Sequence, residues 1–197
     1  MTANPDSDAA LWTRTLAGDS EGFGALFDRH RERVFRHGLR LVETRQDAED
    51  IVAATFLELW RRREDVRLVN GSVAPWLIVT ATNMGCNLSR GSRRYRAFLS
   101  RLPREAAAAD TADIALEISS LGIDGRLRAA LRQLGETDLQ LFGLVALEDY
   151  AVADAAALLG LTPSAAKSRL HRVRLRMRDL LAPQPPNEYA TNIGGDR

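Results

Sequence analysis

The sequence of 197 residues contains one cysteine, one lysine and no long apolar run. The lone Cys86 cannot form an internal disulfide and supports no cysteine-based metal framework. No apolar run approaches the roughly 18 residues that a membrane-spanning helix needs, and the N-terminus lacks the basic region and apolar core of a secretory signal. These absences predict a cytoplasmic protein with no membrane insertion and no cofactor.

Two groups of residues could suggest metal or catalytic chemistry, but each has a simpler explanation. His30 and His37 lie seven positions apart on one face of a predicted helix, yet no cysteine lies near them, so we expect a solvated or polar-face role. Asp47, Glu49 and Asp50 form a carboxylate cluster, but no His or Cys accompanies them at ligand spacing. Their position at a helix start explains them better. The sequence therefore predicts no metal site and no enzyme.

The small net charge of +1 conceals an uneven distribution of charge. Residues 85–104 contain six arginines and no acid, and residues 167–178 contain six basic residues and no acid. Between them, residues 105–125 contain five acids and no base. Two basic blocks separated by an acidic spacer indicate two DNA-binding arms joined by a linker.

The stretch DAEDIVAATFLELW, at residues 47–60, predicts a well-specified helix. Thr44 stands where a side chain caps a helix start, and the acids that follow it complement the helix dipole. Apolar residues recur at three- and four-residue steps and predict a broad core face: Ala48, Ile51, Val52, Phe56, Leu59 and Trp60. The other side carries Asp50 and Glu58, and this shallow acidic side is suited to contact with a partner.

The sequence from residue 72 onward predicts a helix with two distinct stripes. Ser72 can cap its start, and a buried stripe is predicted from Leu77, Ala81, Met84 and Leu88. The second stripe combines an aromatic, hydrogen-bonding side chains and arginines: Trp76, Thr80, Asn83, Asn87, Arg90 and Arg94. Such a surface suits a single DNA strand, because bases stack on aromatics and arginines follow phosphates. The alternative is a polar face with a half-buried tryptophan.

Helices are predicted for other parts of the chain as well. Residues 1–9 are polar and predicted to fray, and residues 10–17 predict a short helix that buries Leu11, Trp12 and Leu16. A long helix follows over residues 21–42. Nearer the C-terminus, Thr137 with Gln140 predicts a capping box before a helix at 139–148.

The last predicted helix begins at Pro163 and is capped by Thr162. It follows a short helix at 152–159 and a turn that contains Gly160. A short helix, a glycine turn and a basic helix are typical of a helix-turn-helix, whose second helix enters the major groove. The alternative is a basic helix that is merely solvated.

The 47–60 run resembles the polymerase-binding helix of bacterial RNA polymerase sigma factors of the extracytoplasmic-function (ECF) group. Its Asp-Ala-Glu-Asp start, its Phe and its Leu-Trp end match the family, whereas alanines stand where the family usually has Gln-Glu. The resemblance implies that these residues contact core polymerase: Asp47, Asp50, Ala53, Ala54, Leu57 and Trp60.

The run A-P-W-L at 74–77, with the asparagine and arginines that follow it, is similar to the helix with which ECF sigma factors open the −10 promoter element. In the family, the loop before this helix holds a base flipped out of the duplex, and here that loop is residues 65–71. The resemblance implies this −10 DNA-binding set: Val69, Asn70, Gly71, Trp76, Thr80, Asn83, Asn87, Arg90, Arg93 and Arg94.

The run L-L-G-L-T-P-S-A-A-K-S-R-L-H-R-V-R resembles the motif that reads the −35 element in the same family. Ala165 and Ala166 replace the common Gly-Thr-Val, which is a mild departure. The DNA-facing positions implied by the resemblance are Ser164, Lys167, Ser168, Arg169 and Arg172.

The resemblance implies an all-α sigma factor with two small helical domains joined by a flexible acidic linker. The implied parts are an N-terminal extension (1–19), a region 2 helical bundle (20–97), the linker (98–125), a region 4 helix-turn-helix (126–182) and a disordered tail (183–197). The implied partners are RNA polymerase core, promoter DNA and an anti-sigma factor. The alternative is a helix-turn-helix regulator whose N-terminal domain dimerises or senses a ligand, and which binds palindromic half-sites without polymerase.

Overall fold

The structure is a computed structural model that describes residues 6–99 and 125–182, and the side chains of residues 92–99 are not among the described parts. The described residues form helices and contain no strand, which confirms the predicted all-α class. The α-helices are α1 (Asp8–Leu16), α2 (Ser20–Leu39), α3 (Arg45–Arg61), α4 (Ala74–Leu99), α5 (Gly125–Leu131), α6 (Glu136–Phe142), α7 (Val152–Leu158) and α8 (Pro163–Leu181). A π-helical turn, Gly143–Leu147, extends α6. The predicted acidic spacer, except its two ends, and the predicted tail lie outside the described residues.

Helices α1 to α4 pack into an N-terminal bundle. Their starts are fixed by local capping: Asp19 accepts from the Glu21 N–H at 2.9 Å, and Thr44 accepts from the Asp47 N–H at 2.9 Å, as predicted. The apolar faces of α2, α3 and α4 meet in a core whose central side chains are fully buried: Leu26, Ile51, Leu59, Leu77 and Ile78. Full burial of each such side chain stabilises the fold by about 1.5–3 kcal/mol.

Aromatic contacts hold α2 against α3. The ring centroids of Phe27 and Phe56 lie 4.8 Å apart, and those of Phe23 and Trp60 lie 5.2 Å apart, both edge to face. Such pairs contribute about 0.5–1.5 kcal/mol beyond the area they bury. The predicted core face of α3 is therefore engaged, and its opposite side faces solvent.

None of the described helices is long and apolar enough to cross a membrane.

The start of the chain is more ordered than the sequence predicted. The prediction that residues 1–9 fray is wrong from residue 7 onward, since the Ser7 hydroxyl accepts from the Ala10 N–H at 3.3 Å and begins α1 at Asp8. Leu11 and Trp12 are buried as predicted, but Leu16 is exposed and Leu88, predicted for the core stripe of α4, is also exposed. Residues 1–5 lie outside the described part.

The two histidines correct a second prediction. His30 and His37 do not lie on a solvated or polar face: both are buried. His30 Nε2 lies 2.8 Å from Asp8 Oδ2, and His37 Nε2 lies 2.9 Å from Thr82 Oγ1. A buried imidazole needs a hydrogen-bond partner, and here each partner comes from another helix.

Helices α5 to α8 form the C-terminal part. Thr162 caps α8 by accepting from the Ala165 N–H at 3.2 Å, and Pro163 is its first residue, as predicted. The prediction of a capping box between Thr137 and Gln140 is wrong. Helix α6 begins at Glu136 after Gly135 without a side-chain cap, and the π-helical turn replaces the predicted α-helix beyond residue 142.

The two halves of the chain pack against each other. Helix α4 contacts α6, the π-helical turn and α7. Gly143 permits this close approach, because a Cβ atom at that position would lie 3.1 Å from His37 Cε1. His37 is therefore buried partly by its own bundle and partly by the C-terminal half.

We expect the free energy of unfolding to fall as the pH drops below about 6.5, because of His37. Burial, together with the positive charges of Arg40 and Arg33, lowers the pKa of His37 to about 3. Between these two pH values only the unfolded chain binds the proton, so acid favours unfolding by on the order of 1 kcal/mol per pH unit. Urea unfolding at a series of pH values in this window measures the slope.

The control is His37→Gln, which keeps a hydrogen-bonding group near Thr82 but does not titrate. It should be less stable than the wild type at neutral pH and show a shallower dependence on pH. Equal slopes for the two proteins would mean that other groups set the acid sensitivity.

Candidate nucleic-acid interface

The solvent side of α3 presents most of the predicted polymerase-binding residues. Asp50, Ala53 and Leu57 are exposed, and the Leu57 side chain is the most exposed large apolar group among the described residues, at 59%. Asp47 and Ala54 are partly exposed. Such exposure of leucine on a stable helix suits a docking surface, because an apolar side chain gains free energy when a partner covers it.

Trp60 is less available than the sequence suggested. The Phe23 ring covers one side of its indole, and the Arg63 guanidinium lies 4.7 Å from its centroid. Trp60 thus completes the joint between α2 and α3, and its remaining exposed part lies beside this surface.

The loop before α4 ends in a tight turn that displays two of the predicted −10 residues. Val69 and Ser72 exchange two backbone hydrogen bonds of 3.0 Å each. Between them Asn70 and Gly71 adopt φ values of 52° and 75°, which an Asn-Gly pair tolerates at the centre of such a turn. Both residues are exposed at the tip.

The predicted −10 stripe on α4 is only partly a surface. Asn87 and Arg90 are exposed, and Trp76 and Asn83 are half-buried. Thr80 is buried at 8% exposure, so it supports the helix rather than the surface. Arg93 and Arg94 lie on α4, but their side chains are outside the described part.

Helix α8 displays the predicted −35 residues along its N-terminal half. Ser164, Lys167, Ser168 and Arg172 are exposed. Arg169 is half-buried and donates to Asp138 of α6 at 2.9 Å. Gly160, at φ 65°, makes the turn between α7 and α8, so these two helices have the helix-turn-helix layout that was predicted. Among the described residues, no three His, Cys, Asp or Glu side chains converge in a way that could hold a metal ion.

Both halves of the chain match known protein families. The family profile of Sigma-70 region 2 matches residues 26–95, and that of Sigma-70 region 4 matches residues 124–177. The RNA polymerase sigma factor CarQ of Myxococcus xanthus is 33% identical over 165 residues, which are 83% of this chain and 91% of CarQ. The chain belongs to the sigma-70 family.

Further relatives refine this assignment. The ECF RNA polymerase sigma factor SigE of Mycolicibacterium smegmatis is 31% identical over 161 residues, which are 80% of this chain and 60% of SigE. The structure of CnrH in complex with the cytosolic domain of CnrY shares the fold, with a TM-score of 0.62 at 23% identity, over 88% of this chain and 96% of that chain. The chain is a sigma factor of the ECF group, which directs RNA polymerase to promoters, as the sequence motifs predicted. The alternative of a helix-turn-helix regulator is not favoured.

In this sigma factor the C-terminal half covers part of the predicted −10 surface. Three predicted −10 residues bond to it: Asn70 donates to Asp154 at 2.6 Å, Asn83 accepts from Gln140 at 2.5 Å, and Arg90 lies 3.3 Å from Glu136. Two of the three partners are carboxylates, the charge that a DNA phosphate would bring. The predicted DNA-reading surface and the contact between the two halves therefore overlap.

Glu148, which the sequence analysis did not single out, anchors this contact. Its side chain is 9% exposed and accepts from Arg33 Nε at 2.6 Å and from Arg40 Nη1 at 3.2 Å. Burial alone would lower the pKa of Arg33, but the Glu148 carboxylate outweighs it and the pKa is raised. Burial raises the pKa of neighbouring Tyr150, whose ring lies under the Arg33 guanidinium. No local pattern marks Glu148, because both arginines lie more than a hundred positions away.

We expect Glu148→Gln to loosen the contact between the two halves. A hydrogen bond to a charged group contributes about 1.5–3 kcal/mol, so the open population should rise about ten- to a hundredfold. Cys86, the only cysteine, lines a cavity of about 170 Å³ between the halves, so its rate of alkylation reports opening. That rate should rise, by less than the open population does, because Cys86 is only half-buried in the closed form.

Asp149→Asn is the matched control, since it removes the same charge at the next residue, where the side chain is exposed. Its alkylation rate should equal that of the wild type. A Glu148→Gln rate no faster than the control would show that this carboxylate does not hold the halves together.

Proposed function

We propose that this sigma factor binds core polymerase through α3, opens the −10 element with the Val69–Ser72 turn and α4, and grips the −35 element with α8. The observation that carries the proposal is that one chain matches both sigma regions and presents a predicted contact surface on each. The chain acts as a specificity subunit rather than as an enzyme. We place it in the cytoplasm, where it meets polymerase and DNA.

The α3 surface docks on polymerase mainly through shape and apolar contact. Family members with Gln-Glu at positions 53 and 54 have polar groups there that this chain lacks. Ala53 and Ala54 offer no polar group, whereas Leu57 protrudes one turn further on. Asp50, which accepts from Gln46 at 3.2 Å, provides charge on the same face. Leu57 and Asp50 are therefore the residues whose loss should matter most.

The −10 element is read by a turn and a helix with different tasks. The exposed Asn70–Gly71 tip offers backbone and amide groups to a flipped base, and extrusion of that base costs a few kcal/mol of stacking. Asn87 and Arg90 on α4 follow the strand. Thr80, being buried, keeps a supporting role in this scheme.

The free sigma factor remains closed over part of its −10 surface, and binding to polymerase separates the halves. The contacts of Asn70, Asn83 and Arg90 with the C-terminal half support this idea, since DNA cannot use the same groups at the same time. CnrH in the complex with CnrY, and the Bartonella quintana RpoE in complex with the anti-sigma factor NepR, share the fold. We propose that an anti-sigma factor likewise holds this chain inactive.

Charge reversal on α3 tests the docking surface. Asp50→Arg should weaken binding to core polymerase and leave the fold intact, because the side chain is exposed. Leu57→Ala should also weaken binding, because it removes apolar contact. Asp179→Arg, a reversal at an exposed position on α8, is the control. Titration of labelled chain with core polymerase measures the affinities. Affinity unchanged from the control in both α3 variants would exclude this face.

Alanine substitutions on α8 test −35 recognition. Loss of an arginine that reads a guanine should cost about 1–3 kcal/mol and relax specificity at that base. Loss of one that only neutralises a phosphate should weaken all sequences and reduce the salt slope by about one. Lys167→Ala, Arg169→Ala and Arg172→Ala are compared, on one −35 duplex at two salt concentrations, with Arg178→Ala, which lies at the far end of α8. Binding as tight as the control in all three variants would mean that the helix is merely solvated.

A further inference from the structure

Asp8, the first residue of α1, bonds to the segment that joins the Val69–Ser72 turn to α4. Its Oδ2 atom accepts from the Ser72 hydroxyl at 2.5 Å and lies 3.3 Å from the Val73 N–H, which also donates to it. In sequence, 64 positions separate Asp8 from Ser72. The start of the chain thus reaches the base of the turn that is proposed to read the −10 element.

The same carboxylate is held from its other side by α2. Arg29 donates to Oδ1 at 2.8 Å, and His30 Nε2 lies 2.8 Å from Oδ2. Burial alone would raise the pKa of Asp8, but the hydrogen bonds from His30, Ser72 and Arg29 outweigh it and hold the pKa below its usual range. Asp8 is therefore charged at neutral pH, and its Oδ2 atom is held by His30 as well as by Ser72.

The turn is closed by its own backbone, and the bonds from Asp8 reach its base. The two backbone bonds between Val69 and Ser72 keep the tip folded. Both bonds lie within the turn, and Val73 connects the turn to α4. The bonds from Asp8 act at this junction. The Ser72 hydroxyl also accepts from the Ala74 N–H at 3.1 Å, so one side chain connects the turn, the helix start and Asp8.

We infer that Asp8 is a positioning residue for −10 recognition, which holds the Asn70–Gly71 tip at a fixed angle to α4. The inference rests on the proposed function of the turn. A site held rigidly by a second layer of hydrogen bonds discriminates between bases, whereas a turn that swings accepts several bases at similar cost. Loss of Asp8 should therefore reduce discrimination at the captured base more than it reduces total affinity.

The test uses the full chain with core polymerase. A promoter is first selected by run-off transcription from genomic fragments, and fluorescent forked DNA is then made with each of the four bases at every exposed −10 position. The readout is the ratio of affinities between the best and the worst base. Asp8→Asn and Ser72→Ala should each lower that ratio about tenfold at the captured position, since each weakens a hydrogen bond to a charged group. Ser72→Thr, which keeps the hydroxyl, should retain the ratio.

Arg29→Gln is the matched control, because it removes a bond to Oδ1 and leaves the bond between Oδ2 and Ser72 in place. It should lower the thermal unfolding midpoint yet keep full discrimination. The midpoint of every variant is measured, so that all are compared while folded. Asp8→Asn keeps the hydrogen bond between the Ser72 hydroxyl and the Ala74 N–H. Its effect therefore reports the position of the turn and not the start of α4.

The outcomes separate the inference from the function on which it rests. Full discrimination in both Asp8→Asn and Ser72→Ala overturns the positioning role and leaves the function of the turn standing. An equal loss in Arg29→Gln also overturns it, since reduced stability would then explain the effect. A wild-type protein that does not discriminate at any position refutes the proposed function of the turn, and the inference with it.

Discussion

A carboxylate that leaves water keeps its charge only when hydrogen-bond donors surround it, and the structure depends on two carboxylates that meet this constraint. Asp8 gathers donors from α2 and from the start of α4. Glu148 gathers Arg33 of α2 and Arg40, which directly follows α2, across the contact between the halves. Removal of one partner leaves a buried charge unpaired, and this destabilises the fold strongly. Replacement of the whole group by apolar residues often costs little. Each carboxylate therefore fixes segments that are distant in the sequence.

The contact that Glu148 anchors lies beside the predicted −10 surface, which links this carboxylate to the proposed function. Arg90 pairs with Glu136, and Asn70 donates to Asp154. The proposed contacts of these two residues with DNA would require both bonds to break. A ligand shifts such an equilibrium only through its different affinity for the two states. Under the proposed function, polymerase separates the halves only if it binds the open state more tightly than the closed one.

The polymerase surface and the DNA surfaces differ in how they are built. Leu57 and Asp50 stand on a helix whose other face is locked by aromatic contacts, so the docking surface is rigid and exposed in the closed form. The tip proposed to read the −10 element stands on a turn whose central residues have positive φ values, and a hydrogen bond to Asp8 of α1 lies at the base of this turn. The surface proposed for docking and the turn proposed for reading therefore lie on different elements of one small bundle.

The sequence by itself determined the helices whose ends carry their own caps, as at Thr44 and Thr162, and the family through its motifs. These features depend on residues within a few positions of each other, so they can be predicted from local spacing. The same logic failed at Thr137, where the helix begins earlier without a side-chain cap. Only the tertiary structure decided that His37 is buried against Thr82, that Asp8 meets Ser72 and that Glu148 meets Arg33. Their partners lie at no fixed spacing in the chain, and packing alone brings them together.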